Sequence, residues 1–246
     1  MKVVAIIQAR MGSTRLPGKI MKEVLGKTLL EYQIERIKRS KLIDKIVVAT
    51  TTKESDDNIV SLCNKLSIAY FRGSEEDVLA RYYHAATEHK ADIVVRLTSD
   101  CPLIDANEID KVIRKFIESK GTYDYVSNTL VRTYPRGFDT EAFSYEVLKL
   151  AHKEAKDHAY REHVTAYIYN NVTTFTVVGV ENRTNDSQYR LTVDTEEDFL
   201  LVKKIIESLY PVNKEFNLQD IVALLKDNPT WNDINHHIKQ KKVFNS

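Results

Sequence analysis

MKVVAIIQARMGSTRLPGK, residues 1–19, runs from a hydrophobic segment straight into a cationic loop. Val3, Val4, Ala5, Ile6 and Ile7 form an uninterrupted apolar run rich in β-branched residues, the pattern of a strand buried on both faces. Behind it come Arg10, Gly12, Ser13, Arg15, Pro17, Gly18 and Lys19. Glycine permits close approach of the backbone to a ligand. Successive N–H groups in such a turn make an anion nest, and three fixed cations add charge. Together they predict a site for several phosphates, as in a nucleoside triphosphate. The spacing matches neither GxxxxGK[ST] nor GxGxxG, so the reading rests on residue types. A solvated basic turn is the plainer alternative. Cations this dense, threaded with Gly and Ser, argue against it.

Downstream the alternation continues. Strands are expected at 3–9, 45–51, 68–71 and 92–97, and helices at 28–39, 54–66, 75–90 and 106–119. Ser74, followed by Glu75, Glu76 and Asp77, supplies an N-cap and an acidic first turn for the third of these helices. Near-continuous apolar strands separated by helices signal an α/β fold, a mostly parallel sheet covered by helices. From about residue 122 the pattern is mixed. Strands are expected at 123–128, 138–144, 175–180 and 189–194, and helices at 144–156, 158–170, 196–209 and 218–227. The polar stretch 229–246 is expected to be partly frayed. No Pro/Gly-rich linker divides the chain, so one domain over 1–246 is expected. Its parts are a nucleotide-binding portion at about 1–120, a small mixed β-rich lobe at about 121–190, and a C-terminal strand and helices over 190–246.

Lys and Arg number 36 against 35 Asp and Glu, a balance that argues against a nucleic-acid binder. No run approaches the 18 apolar residues of a membrane span, so no membrane association is expected. The first residues lack the charged and apolar regions of a secretory signal. Cys63 and Cys101 are far apart and read as free thiols, which suits a cytoplasmic location.

Two further stretches carry chemistry. In RLTSDCPLID (96–105) a strand runs into Asp100, at the carboxyl edge where open α/β sheets bind ligands. A carboxylate there suits Mg²⁺ held together with phosphate oxygens. Capping of the following helix falls to Asp105, leaving Asp100 free. In RLTVDTEEDF (190–199) a second strand ends in Asp194. Thr195 caps the next helix, and Glu196, Glu197 and Asp198 read as its acidic first turn. Asp194 precedes the cap and can share a Mg²⁺ with Asp100.

QARMGSTRLPGK (8–19), FRGSEEDVLARYYHAA (71–86), RLTSDCPLID, YPRGFDTEAFS (134–144) and RLTVDTEEDF together resemble the cytidylyltransferases related to spore-coat polysaccharide protein F. That group is similar to the CMP–sialic acid, CMP–pseudaminic acid and CMP–KDO synthetases. The resemblance runs from about residue 2 to 210. It implies a nucleotide-diphosphosugar-transferase fold, GT-A-like and Rossmann-like, and Mg²⁺-dependent transfer of CMP from CTP to an acidic or phosphorylated sugar, with release of pyrophosphate. Carried over by position, Lys19, Arg10 and Arg15 become catalytic. Ala9, Arg10, Gly12, Ser13, Lys19 and Arg72 hold the nucleotide, and Asp100 and Asp194 hold the metal. Ser99 stands where the family usually has Gly, which bears on loop geometry. A homodimer is expected from the family and from the mixed lobe.

Other residues are weighed on their own chemistry. Arg136 can grip an acceptor carboxylate or phosphate in bidentate fashion, or be a solvated turn residue. Glu162 and His163, on an expected helix, are candidates for the acceptor site. Thr50, Thr51 and Thr52 can line the base pocket, Tyr82 and Tyr83 read as core, and His236 and His237 read as surface. Two rival activities remain open: a nucleotidyltransferase for a sugar-1-phosphate or non-sugar acceptor with another triphosphate, and a GT-A-like glycosyltransferase consuming a nucleotide sugar. The glycosyltransferase lacks support because no DxD lies near residue 100.

Overall fold

A computed structural model describes residues 1–240. β1 (Val3–Gln8) is the apolar run read above, with Val3 to Ile7 at most 3% exposed. The cationic loop follows. A short 3₁₀ turn at Lys19–Met21 then leads into a hairpin of β2 (Glu23–Val24) and β3 (Lys27–Thr28). α1 (Leu29–Ile37) starts at a capping box in which Thr28 and Glu31 satisfy each other's backbone N–H. β4 (Lys45–Thr51), a 3₁₀ turn at Glu54–Asp56, α2 (Asp57–Lys65), β5 (Ala69–Gly73), α3 (Val78–Glu88), β6 (Ile93–Thr98) and α4 (Ala106–Glu118) complete the first half. The cap of α3 is Asp77, which accepts from Ala80 N. Ser74 Oγ accepts from Asp77 N instead, so this helix starts three residues later than its acidic run suggests.

The mixed part contributes β7 (Tyr125–Ser127), β8 (Glu141–Ser144), α5 (Tyr145–Glu154), α6 (His158–Glu162), α7 (Ala166–Asn170), β9 (Val177–Gly179), α8 (Glu196–Leu209) and α9 (Leu218–Asp227). The helix expected over 158–170 is broken at its middle, where Val164 takes a left-handed φ of 52°. Residues 189–194 are not a strand. They lie extended, with one isolated parallel bridge between Arg136 and Arg190. A 3₁₀ turn covers Pro229–Ile234, and Asn235 beyond it is buried. The start of the stretch expected to fray is therefore packed down, and its last residues, 241–246, lie outside the described residues.

The nine strands among the described residues fall into two sheets. The main one has seven strands in the order β5-β4-β1-β6-β8-β7-β9, and only β8 runs antiparallel to its neighbours. β7 to β9 thus extend the sheet of the first half. Alternate residues of β1 enter opposite cores: Val4 and Ile6 pack with α3 and α5 residues, and Val3, Ala5 and Ile7 with α1, α2 and α4 residues. A third apolar cluster beneath α8 and α9 gathers Leu103, Tyr134, Phe138, Leu191 and Val193. That cluster fixes the extended segment 189–194 against the carboxyl edge of the sheet.

Candidate active site

β1 and β6 are parallel neighbours, so their carboxyl ends open side by side. Ser99 N donates to Gln8 O (3.1 Å) and Ala9 N to Ala49 O (3.0 Å), carrying the ladder one residue past each strand. The cationic loop then folds on itself, with the N–H groups of Ser13 and Gly18 both donating to Met11 O. Gly18 has a φ of 67°, a conformation that favours glycine, and it turns the chain so that Lys19 starts the 3₁₀ turn. Asp56 ties the loop down. It accepts from Met11 N (2.8 Å) and from the hydroxyls of Thr50 and Thr51, so these threonines brace the loop from beneath.

Across the edge, the segment 189–194 is hung on backbone. Arg136 N donates to Tyr189 O and Leu191 N to Arg136 O (2.7 Å). Val193 N donates to Asp100 O (2.8 Å), and the Thr192 hydroxyl donates to the same oxygen. Gly137 allows this approach. It has a φ of 105°, and a Cβ there would lie 2.6 Å from the Leu191 carbonyl. These bonds bring Asp194 beside Asp100, and Lys19 Nζ stands 2.8 Å from the Asp194 carboxylate and 3.6 Å from that of Asp100. Arg15 Nη2 (3.0 Å) and Arg190 Nη2 (2.8 Å) also reach Asp194.

Burial alone would lower the Lys19 ammonium pKa, but Asp100 and Asp194 outweigh it and raise the value. Burial would raise Asp194, and Lys19, then Arg15 and Arg190, hold it below its ordinary range. Both are charged at neutral pH. Arg190 also grips Asp198 through Nε (2.8 Å) and Nη2 (3.0 Å). Asp198 is fully buried and accepts from Asp194 N as well. It is therefore more than part of an acidic helix start: it anchors the turn that presents Asp194.

A cavity of about 430 Å³ lies over this edge. Ala9, Arg10, Ser13, Arg15, Lys19, Asp100 and Asp194 line it, as do Glu162 and His163 from the far wall. Burial lowers the His163 pKa, so its ring is neutral at pH 7. The break after α6 is pinned by Thr165, whose hydroxyl donates to Glu141. Gly12 sits behind the wall, where a Cβ would come 3.1 Å from Glu75 Oε1.

Besides Gly12, two expected residues are not in the lining. Arg72 donates to Thr51 O and Lys53 O (both 2.8 Å) and pairs with Asp57 (2.7 Å), clamping the ends of β4 and β5 outside the cavity. Arg136 acts through its backbone bridge and is not in the lining. Residues that sequence reasoning passed over include Asp56, Arg81, Glu75 and Arg190. Glu75 pairs with Arg10 (3.4 Å) and with Lys53. Asp56 follows a Thr-Thr-Thr strand end and could have been read as a loop anchor, whereas Arg81 and Arg190 look like ordinary surface cations in sequence.

Among the described residues, no group of three or more His, Cys, Asp or Glu side chains is arranged to hold a metal ion. Asp100 and Asp194 are two hard oxygen donors facing one point. That set suits Mg²⁺, which takes one or two carboxylates, substrate phosphates and water. Nor is any helix among these residues long and apolar enough to cross a membrane.

The sequence and structure have relatives. An uncharacterized protein of Methanocaldococcus jannaschii is 40% identical over 243 residues, covering 98% of this chain and 97% of that protein. Spore coat polysaccharide biosynthesis protein SpsF of Bacillus subtilis is 34% identical over 234 residues, covering 92% and 95%. A 3-deoxy-manno-octulosonate cytidylyltransferase of Chlamydia trachomatis is 32% identical over 145 residues, 57% of this chain and 55% of that one. The solved structure of a cytidylyltransferase from Leptospira borgpetersenii superposes with a TM-score of 0.91 at 38% identity, covering 98% of this chain and all of that one. The cytidylyltransferase family model matches residues 4–245, and the chain belongs to that family.

Proposed function

We propose that the protein transfers CMP from CTP to an acidic or phosphorylated sugar and releases pyrophosphate, within surface polysaccharide or glycan biosynthesis. The observation that carries this reading is the meeting of Arg10, Arg15 and Lys19 with Asp100 and Asp194 around one cavity. The similarity to SpsF and to a 3-deoxy-manno-octulosonate cytidylyltransferase supports the substrate class. A GT-A-like frame, a cytoplasmic location and a homodimer joined through the 121–190 lobe belong to the same proposal.

An acceptor oxygen attacks the α-phosphorus of CTP in line. The bond from that phosphorus to the bridging oxygen breaks, and pyrophosphate leaves with the electron pair. Lys19, Arg10 and Arg15 neutralise charge on the α-phosphate and the leaving group, and Ala9 and Ser13 meet the nucleotide at the loop. Such catalysis is mostly positioning and electrostatics. Asp100 and Asp194 would hold Mg²⁺, which supplies charge neutralisation to the phosphate oxygens when bound. Lys19 bridges the two carboxylates and holds them together. Glu162 and His163, across the cavity, border the acceptor.

The test is pyrophosphate release from each of the common triphosphates with Mg²⁺, in the presence of a panel of sugar acids and sugar phosphates. Release with CTP and an acidic sugar is the expected result. Release only with another triphosphate and a neutral sugar-1-phosphate would replace this reading.

A further inference from the structure

Arg81 lies in the cavity wall and takes no part in the transfer chemistry above. Its side chain is 2% exposed, and its stem packs against Gly73, whose Cβ, were there one, would lie 3.3 Å from Arg81 Cγ. Nη1 donates to Ser74 O (2.8 Å), which fixes the guanidinium plane. On the opposite, side-on edge the buried Nε–H meets no acceptor among the described residues. A buried donor left unmade is costly, more so on a cation. Asp56 and Glu75 nearby temper the charge but accept no hydrogen bond from it.

Strand order says which part of a nucleotide this edge would meet. Asp100 follows β6 and Gly73 ends β5, and β1 and β4 stand between them. At ~4.8 Å per strand the two ends are separated by roughly 14 Å. That is about the span of a nucleotide from its metal-bound phosphates to the far rim of its base. α3, which carries Arg81, packs over β1, β4 and β5 and also against α5 and α6, but the Arg81 stem lies against Gly73 at the β5 end; β8, whose Glu141 pins Thr165, borders β6. Arg81 is thus at the end of the cavity away from Asp100.

We propose that Arg81 reads the base of the bound nucleotide, donating from Nε and Nη2 to the adjacent O2 and N3 acceptors of cytosine. This rests on the CTP reading above. Uracil presents an N3–H at the same place, so a fork of two donors meets a donor and rejects it. A guanidinium edge is suited to such a pair of acceptors, and an ammonium is not.

The test measures equilibrium binding of CTP, UTP and 3-deazacytidine 5′-triphosphate, which carries C–H in place of N3, with Mg²⁺. Wild-type protein is expected to bind CTP about 10- to 100-fold more tightly than either of the others, the usual worth of a bidentate base contact. In Arg81→Lys that ratio should fall to near one, with melting temperature checked separately. Equal affinity of wild type for CTP and the 3-deaza compound overturns the proposal without any variant. An unchanged CTP-to-UTP ratio in Arg81→Lys also overturns it, leaving Arg81 as a strut for the 73–78 loop. Weakened acceptor binding with that ratio intact would move the fork to the acceptor's carboxylate and overturn it equally. Wild type that binds no triphosphate would instead defeat the nucleotidyltransfer reading itself.

Discussion

Lys19 concentrates the chemistry of the site in one side chain. It is mostly buried, fully charged and held between two carboxylates that belong to distant parts of the chain. Removing one preorganised cation of this kind lowers a transfer rate by about 10²–10³. Lys19→Ala should therefore show that loss in pyrophosphate release while retaining a cooperative melt. Near-wild-type turnover would remove Lys19 from the mechanism. Asp194 makes a second prediction, in pH. Its folded pKa lies below the ordinary value of 3.8, so its stabilisation is full above about pH 4 and is lost as pH falls through the folded value. Asp194→Asn should melt lower at neutral pH, because Lys19, Arg15 and Arg190 then crowd together without a counter-charge. Its melting temperature should also change less than wild type's between pH 5 and pH 3, which a melting series reads directly.

Elements are placed by caps that serve two masters. Asp105 caps α4 by accepting from Asn107 N, and its other oxygen accepts from Leu218 N at the start of α9 (both 2.8 Å). The loop 99–105 carrying Asp100 is thereby moored to the C-terminal helices. Asp105→Ala loses a cap worth about 1 kcal/mol. It also strands a buried N–H at about 1–3 kcal/mol. Chemical denaturation should report a total loss of about 2–4 kcal/mol. Helical period and cap residues made α4, α8 and α9 legible in the sequence, the last two to the residue. The 189–194 stretch was misread as a strand because alternation of apolar and polar residues marks an extended chain with one buried face. It does not say whether a sheet or a single backbone bridge receives it. The break at Val164 was equally invisible, since a non-glycine residue at positive φ is held there by its surroundings.

At the scale of the molecule, the site is a closure between chain halves. Gly137 is where the closure is tightest, its Cα side facing the Leu191 carbonyl. Gly137→Ala combines a backbone penalty of about 1–3 kcal/mol with overpacking of similar size. It is expected to destabilise the fold by about 2–6 kcal/mol and, by shifting 191–194, to weaken triphosphate binding with Mg²⁺. Loss of stability with unchanged binding would mean that Asp194 keeps its place without this contact. A ligand that spans the closure should stabilise the whole. CTP with Mg²⁺ at a hundred times its dissociation constant adds about 2.7 kcal/mol, readable as a rise in melting temperature. The rise should be absent in Asp100→Ala.

Local pattern was enough to establish the α/β alternation, the buried β1 run and the cation-rich loop, because periodicity, β-branching and glycine act over a few neighbouring residues. The same loop, with Asp100 and Asp194 at the ends of apolar runs, already held most of the cavity's charged lining. Tertiary structure alone decided that Lys19 meets Asp194 across 175 residues of chain, that Asp56 braces the loop, and that Arg72 and Arg136 are not in the cavity lining. Those outcomes depend on which backbone groups find partners when the 189–194 segment closes over Gly137 and Asp100, a long-range hydrogen-bond and packing solution that no local period encodes. The unpartnered Nε of Arg81 arises in the same way: its chemistry is that of any arginine, and only the folded wall leaves that donor without an acceptor.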